Sequence, residues 1–291
     1  MDNSTNQVFA PGSFQELFST WNRYKNAALF AGGVEIIREQ GKIVPTFPDN
    51  VISLHKIEEL GKIKRSERYL EIGAMVKLSQ VVNIGKIVPE ALRDCISHIG
   101  DPQLRNQATI GGNICNPSRR LDATAPMIIL DAQYELRTAQ SARWISASRF
   151  SSLPGPPVLA PLEILTRIRV PLEPWTYTWY RKFNTFGSNS PGGLIILIMR
   201  IQKNVLSNIR VIYSDRIILR DKNSETMLAG KQLPLDRKDT KVFVERWKAY
   251  MSAYDGIENS VFSGLGINFN PELVKTQILN FIESTLMYIS D

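Results

Sequence analysis

Cysteine and histidine are scarce in this chain. Its 291 residues include two cysteines, Cys95 and Cys115, and two histidines, His55 and His98. Two cysteines cannot build a disulfide framework, and the chain cannot supply a four-cysteine metal or iron–sulfur centre. No metal site is expected here, so any redox chemistry has to use an organic cofactor or a metal held by a partner. Long apolar runs are also missing. The longest, Leu194-Ile195-Ile196-Leu197-Ile198-Met199, falls far short of the roughly 20 residues that span a bilayer, and reads as a buried strand. The opening stretch from Met1 to Gln7 has neither a basic start nor an apolar centre, so no secretory signal is expected and a cytoplasmic location is the default.

Charge is not one-sided enough to suggest nucleic acid. The net charge is +7, with Lys62, Lys64, Arg65 and Arg68 as the densest basic group. Glu58, Glu59, Glu67 and Glu71 are interspersed with them, and no aromatic residues alternate there as stacking platforms. Hydrophobic residues at 43% and charged residues at 22% describe an ordinary globular protein and leave no room for a disordered or fibrous class.

What the chain does have is a glycine pair in a polar setting. Ala108-Thr109-Ile110-Gly111-Gly112-Asn113-Ile114-Cys115-Asn116-Pro117-Ser118 reads as a tight backbone turn to which a ligand can come close, and Asp122 follows it. A second pair, Gly32-Gly33, lies between the short apolar strand Ala27–Ala31 and a helix opening at Val34-Glu35. Unpaired amides and the helix dipole at such a junction can hold a phosphate, although glycine pairs between strand and helix are common.

The remaining segments alternate helices and strands. Ser13-Phe14-Gln15-Glu16 is a capping box, and Phe14, Leu17, Phe18 and Trp21 make one apolar helical face. Val51–Leu54 and Tyr69–Ala74 read as strands, and a helix runs from Pro89 to Ile99 with Cys95 on its apolar face. Asp101–Asn106 reads as a polar loop, with Arg105 and Asn106 as loop organisers. Ile164–Val170 alternates with period two until Pro171, and a domain boundary is placed near residue 175. Beyond it, strands near 194–201, 209–213 and 216–220 precede helices at Ser224–Leu228, at about 237–254 and from Pro271, which Asn270 caps.

The run Gln103–Asn116, followed by Asp122 and Leu130-Asp131-Ala132, resembles the flavin-binding, or medium, subunit of molybdenum-containing hydroxylases of the xanthine and carbon monoxide dehydrogenase type. Ala31-Gly32-Gly33-Val34-Glu35, Glu163–Ile168, Tyr180–Phe183 and Leu228–Leu233 fall in the order that family has, so the resemblance covers nearly the whole chain. It implies an α+β protein with a two-part FAD-binding domain of the PCMH/vanillyl-alcohol-oxidase type over residues 1–175, with parts at about 1–55 and 56–175. A small α+β domain of the CO dehydrogenase flavoprotein type over residues 176–291 would follow.

The resemblance also implies a site. Ala31, Gly32, Gly33, Val34 and Glu35 form the first phosphate loop, and Thr109, Ile110, Gly111, Gly112 and Asn113 the second, with Asn116 and Ser118 beside it. Backbone amides of both loops hold the diphosphate of FAD, Asp122 accepts from a sugar or ribityl hydroxyl, Leu165 packs on the isoalloxazine and Lys182 lies near its polar edge. No residue of this chain is expected to be catalytic in its own right. In such complexes a large molybdenum-cofactor subunit oxidises the substrate, a small subunit with 2Fe-2S clusters relays electrons, and the flavin passes them to NAD or another acceptor. The chain departs from the family pattern at Val34, where a threonine is usual, at Arg119-Arg120-Leu121, and at Gly187–Gly193. Two other readings compete: a flavin-less scaffold subunit of the same fold, and a self-contained flavin oxidase.

Overall fold

The computed structural model describes residues 7–39, 48–116, 122–151, 158–183, 193–215, 218–253 and 271–289, with side chains of the last segment described from residue 274. The chain forms two compact units, Met1–Leu172 and Glu173–Asp291.

The first unit opens with a three-stranded parallel sheet. Strands β1 (Gln7–Phe9) and β2 (Ala28–Phe30) flank β3 (Asn50–Ser53). Between β1 and β2 lies helix α1 (Phe14–Arg23), which starts where the Ser13 hydroxyl accepts from the Glu16 amide at 3.2 Å. The Glu16 carboxylate does not complete the expected reciprocal bond to Ser13. It accepts instead from the Gly12 amide at 2.8 Å, one residue earlier, which clamps the entry to the helix all the same. Leu17 and Phe18 bury the apolar face.

A five-stranded antiparallel sheet completes this unit in the order β4-β5-β8-β6-β7, with β4 Ile63–Arg65, β5 Tyr69–Gly73, β6 Gln133–Arg137, β7 Ala142–Ser146 and β8 Ile164–Pro171. Alternation assigns its faces. Leu70, Ile72, Tyr134, Leu136, Ile168 and Val170 are buried on one side, and each fully buried aliphatic contributes about 1.5–3 kcal/mol relative to exposure. On the other side Arg169 bonds Glu71 at 2.7 Å, Arg167 bonds Glu135 at 2.6 Å, and the Arg169 guanidinium lies 4.1 Å from the Trp144 ring centroid. These cross-strand pairs fix register more than they add stability.

Among the described residues the helices after β5 are α3 (Leu78–Asn83), α4 (Glu90–Ser97), α5 (Pro102–Gln107), α6 (Ile110–Ile114), α7 (Thr124–Ile129) and α8 (Ala147–Phe150), while α2 (Val34–Glu39) follows β2. Cys95 packs in the interior of α4, and His98 Nδ1 lies 2.7 Å from the Asp94 carbonyl at its end.

The second unit is a four-stranded antiparallel sheet, order β12-β11-β10-β9, with β9 Tyr177–Lys182, β10 Leu194–Gln202, β11 Val205–Ser214 and β12 Ile218–Leu219. The run Leu194–Met199 is indeed a buried strand. Helices α9 (Lys222–Leu228), α10 (Arg237–Ser252) and α11 (Pro271–Tyr288) complete the unit. Phe243, Trp247 and Met251 of α10 and Val274, Ile278, Phe281, Ile282 and Leu286 of α11 share its core with β10 and β11. The expected cap, Asn270, lies outside the described residues.

Candidate functional site

Two expectations, one about the region before the glycine motif and one about the motif itself, change. Asp101–Asn106 is not a loop: the Asp101 carboxylate accepts from the Leu104 amide at 2.7 Å and Pro102 takes the first helical position, so α5 forms. Arg105 ties this helix back to the end of α4 by donating to the carbonyls of Ile99 at 3.1 Å and Gly100 at 2.8 Å. The motif itself is a short helix rather than an open turn. Thr109 caps α6, its hydroxyl accepting from the Gly112 amide at 3.1 Å.

The chain after β5 runs alongside the motif and consumes its amides. Ile110 donates to the Val76 carbonyl and Gly111 to that of Ala74, each at 2.9 Å, while Leu78 donates to the Ala108 carbonyl at 2.9 Å. Asn113 donates to the Thr109 carbonyl at 3.0 Å. The four amides from Ile110 to Asn113 thus all have partners within the protein. Gly111 is required by this packing, because a Cβ there would stand 2.7 Å from both the Cβ and the carbonyl oxygen of Ala74.

The first glycine loop is different. Gly33 adopts φ +73°, a left-handed conformation that turns the chain from β2 into α2. A Cβ on Gly32 would stand 2.2 Å from the Gln107 carbonyl oxygen, so the two glycine segments are in direct contact. Among the described residues the amides of Gly32, Gly33 and Val34 donate to no acceptor, since the opening turn of a helix has no preceding carbonyls to use. Three unengaged amides at the positive end of a helix form a donor set suited to an anion. Val34 is half-buried and brings no hydroxyl to that set.

Other predicted site residues are drawn to the motif by hydrogen bonds. The Asn113 side chain accepts from the Ala123 amide at 3.2 Å, and the Cys95 thiol donates to the Asp122 carbonyl at 3.3 Å, so Asp122 is held between α4 and α6 with its side chain half-buried. Asn116 is buried at the end of the motif. Ser118 and Arg119-Arg120-Leu121 lie outside the described residues, as do positions 187–192. Leu165 is buried in β8 in register with Leu136, and the next residue, Thr166, accepts through its carbonyl from the Ala74 amide at 3.0 Å. Lys182 belongs to the second unit, at the end of β9 in register with Leu194.

Cys115 is not a reactive thiol. Burial of its sulfur pushes it up to about 12, and the neighbouring Tyr134 phenol, wholly buried beneath the sheet, is pushed up as well, by burial first and by Cys115 second. Among the described residues no group of three or more His, Cys, Asp or Glu side chains is placed to hold a metal ion, and no helix is long and apolar enough to cross a membrane.

One residue of this neighbourhood has no sequence signature. Lys77 follows the Ala74–Val76 segment, forms an antiparallel bridge with Thr109, and donates from Nζ to the Gln107 carbonyl at 2.9 Å.

Residues 3–173 match the family described as the FAD binding domain in molybdopterin dehydrogenase. The chain belongs to that family. Among its relatives, the nicotinate dehydrogenase FAD-subunit of Eubacterium barkeri is 32% identical over 148 residues, covering 50% of each chain. The xanthine dehydrogenase FAD-binding subunit of Escherichia coli O157:H7 is 31% identical over 151 residues, covering 51% of each. The match thus spans about half the length of these relatives. Across the whole length the fold resembles that of a carbon monoxide dehydrogenase structure from Hydrogenophaga pseudoflava, with a TM-score of 0.78, 21% identity, and coverage of 100% of this chain and 98% of that one. The α+β FAD-binding fold is therefore common to both. The unengaged amides of Gly32, Gly33 and Val34, beside a glycine with no room for a side chain, fit the diphosphate of the cofactor that names this domain family.

Proposed function

We propose that this chain is the FAD-carrying electron-transfer subunit of a molybdenum hydroxylase complex in the cytoplasm. It receives electrons from a small iron–sulfur partner, served in turn by a large molybdenum-cofactor partner, and delivers them to NAD or another acceptor. The observation that carries the reading is the set of unengaged amides from Gly32 to Val34, held against the end of α5 by the contact between Gly32 and Gln107. The names of the two relatives, both FAD subunits of dehydrogenases, support it.

Bound FAD supplies the redox chemistry, taking up electrons and releasing them, and the protein supplies binding and orientation. In this reading Gly32, Gly33 and Val34 donate to phosphate oxygens, with Ala31 and Glu35 flanking them. Thr109 and the glycines Gly111 and Gly112 form the opposite wall, which is stiff because its amides from Ile110 to Asn113 are already bonded. Asn116 and Asp122 would meet the sugar or ribityl hydroxyls, and Leu165 would pack on the ring system. The second glycine segment therefore serves as a rigid wall more than as a set of amide donors, and the first loop as the anion binder.

Purified protein tests this directly. Yellow protein that releases FAD on denaturation, and that comes out of its native host with a molybdenum-cofactor subunit and an iron–sulfur subunit, is the expected result. Colourless protein that recruits the same partners assigns the chain to the scaffold reading and overturns ours. Turnover of an organic substrate by the chain alone assigns it to the self-contained oxidase.

A further inference from the structure

Lys77 stands where the two glycine segments meet. Its ammonium is 2.9 Å from the Gln107 carbonyl oxygen, and that oxygen is the one a Cβ on Gly32 would approach to 2.2 Å. The Lys77 backbone is held in place at both ends of the contact. Its amide donates to the Gln80 side chain at 2.9 Å, and the residue bridges to Thr109, the cap of α6. A full positive charge is thereby fixed beside a loop whose amides from Gly32 to Val34 have no acceptor.

The lysine is half-buried, and among the described residues no carboxylate pairs with it. Burial lowers its pKa from the ordinary lysine value, which is the mark of a cation that has lost water and gained no counter-ion. An ammonium carries three donors, and the Gln107 carbonyl takes one of them. The remaining donors and the uncompensated charge suit an anion beside the Gln107 carbonyl, against which Gly32 packs.

We propose that Lys77 is a charge-bearing residue of the cofactor site, its ammonium neutralising the diphosphate of the bound flavin nucleotide while it stays on the Gln107 carbonyl. This rests on the reading that the chain binds FAD. The competing account makes Lys77 a cap for the carbonyl end of α5, a contact that favours a cation whether or not a ligand is present.

Full-length protein, wild type and Lys77→Met, is freed of flavin and titrated with FAD and with riboflavin, which keeps the ring system and has no phosphate. Each titration is run at low and at high salt. The expected result is that K77M weakens FAD binding about tenfold to a hundredfold, the scale of a hydrogen bond to a charged group. It leaves riboflavin binding unchanged and flattens the salt dependence of FAD binding, and Lys77→Arg restores most of the affinity. K77M that binds FAD as the wild type does, or that loses FAD and riboflavin in equal measure, overturns the proposal. Wild-type protein that takes up no FAD overturns the flavin reading and this proposal with it, an outcome distinct from a failure at Lys77 alone.

Discussion

Gly32 and Gln107 touch without a side chain between them: a Cβ on the glycine would lie 2.2 Å from the Gln107 carbonyl oxygen and 3.0 Å from its carbon. The atoms in the way are backbone, so Gly32→Ala must push the first glycine loop off α5. Overpacking of this kind costs about 1–3 kcal/mol. The variant is expected to keep its circular dichroism spectrum, to melt several degrees lower and to retain less flavin than the wild type. Unchanged melting and full flavin content would mean that the close approach matters neither to the fold nor to the site.

Asp122 invites a different outcome. Its carbonyl is held by the Cys95 thiol, and the neighbouring Ala123 amide by Asn113, so the backbone is secured by contacts that do not involve its side chain carboxylate. Asp122→Ala is expected to lower FAD content, measured after denaturation against protein concentration, with the melting temperature of the flavin-free protein close to the wild type. Full flavin occupancy in the variant removes Asp122 from the site.

Much of the fold was open to a reading of the sequence where one periodicity ruled. Ile164–Val170 alternates because both neighbours in its sheet demand it, and the apolar face of α11 repeats at helical spacing over about three and a half turns from Val274 to Leu286. Local signals misled where they competed. Asp101-Pro102 is a helix start, yet Leu104 is the sole apolar side chain before Ala108, so no periodicity announces α5. Two glycines argue against a helix at Ile110–Ile114, at about 1 kcal/mol each, and the Thr109 cap together with the carbonyls of Ala74 and Val76 overrides them. The strand β4, Ile63–Arg65, is exposed throughout and reads only as a basic cluster. The site divides in the same way. Both glycine segments stand out in the sequence, whereas the contact of Lys77 with Gln107 joins residues 30 apart with no shared motif.

Glu163 gives the first unit a sensitivity to acid. Arg143 grips this buried carboxylate with two bonds, at 2.7 and 2.8 Å, and the Ala160 amide adds a third at 2.9 Å. The Arg143 hydrogen bonds hold its pKa below the ordinary glutamate value, against the opposing effect of burial and with help from the Ala160 amide and the Arg143 charge. A depressed folded-state pKa contributes stability that is present above the unfolded value, about 4.3, and is lost as pH falls through the folded value. Denaturant unfolding followed from pH 7 to pH 3 is expected to show the wild type losing stability below about pH 4. Arg143→Ala leaves a buried carboxylate short of partners and costs about 1–3 kcal/mol at neutral pH. Because the carboxyl of the variant no longer gains from ionising, its stability falls less between pH 7 and pH 3, and a parallel pH profile for the two proteins contradicts the assignment.

The two thiols are predicted to be silent in the folded protein. Cys95 has no exposed surface, and burial pushes the Cys115 thiol up to about 12, so at pH 8 both stay in the thiol form, which reacts poorly with a disulfide reagent. Titration with such a reagent is expected to show no rapid phase in native protein and both cysteines after denaturation. The motif's thiol then serves as a small packing group beside Tyr134, and Cys115→Ser, which puts a hydroxyl where the sulfur is buried, should cost about 1–3 kcal/mol in stability by leaving a polar group short of partners. Cys115→Ala separates the two properties, since it removes the sulfur without adding a polar atom and is expected to destabilise less than the serine. A fast-reacting thiol in the native state that disappears in Cys115→Ala would show instead that the sulfur is open to solvent and ionised, and the motif would have to be treated as a reactive site rather than a wall.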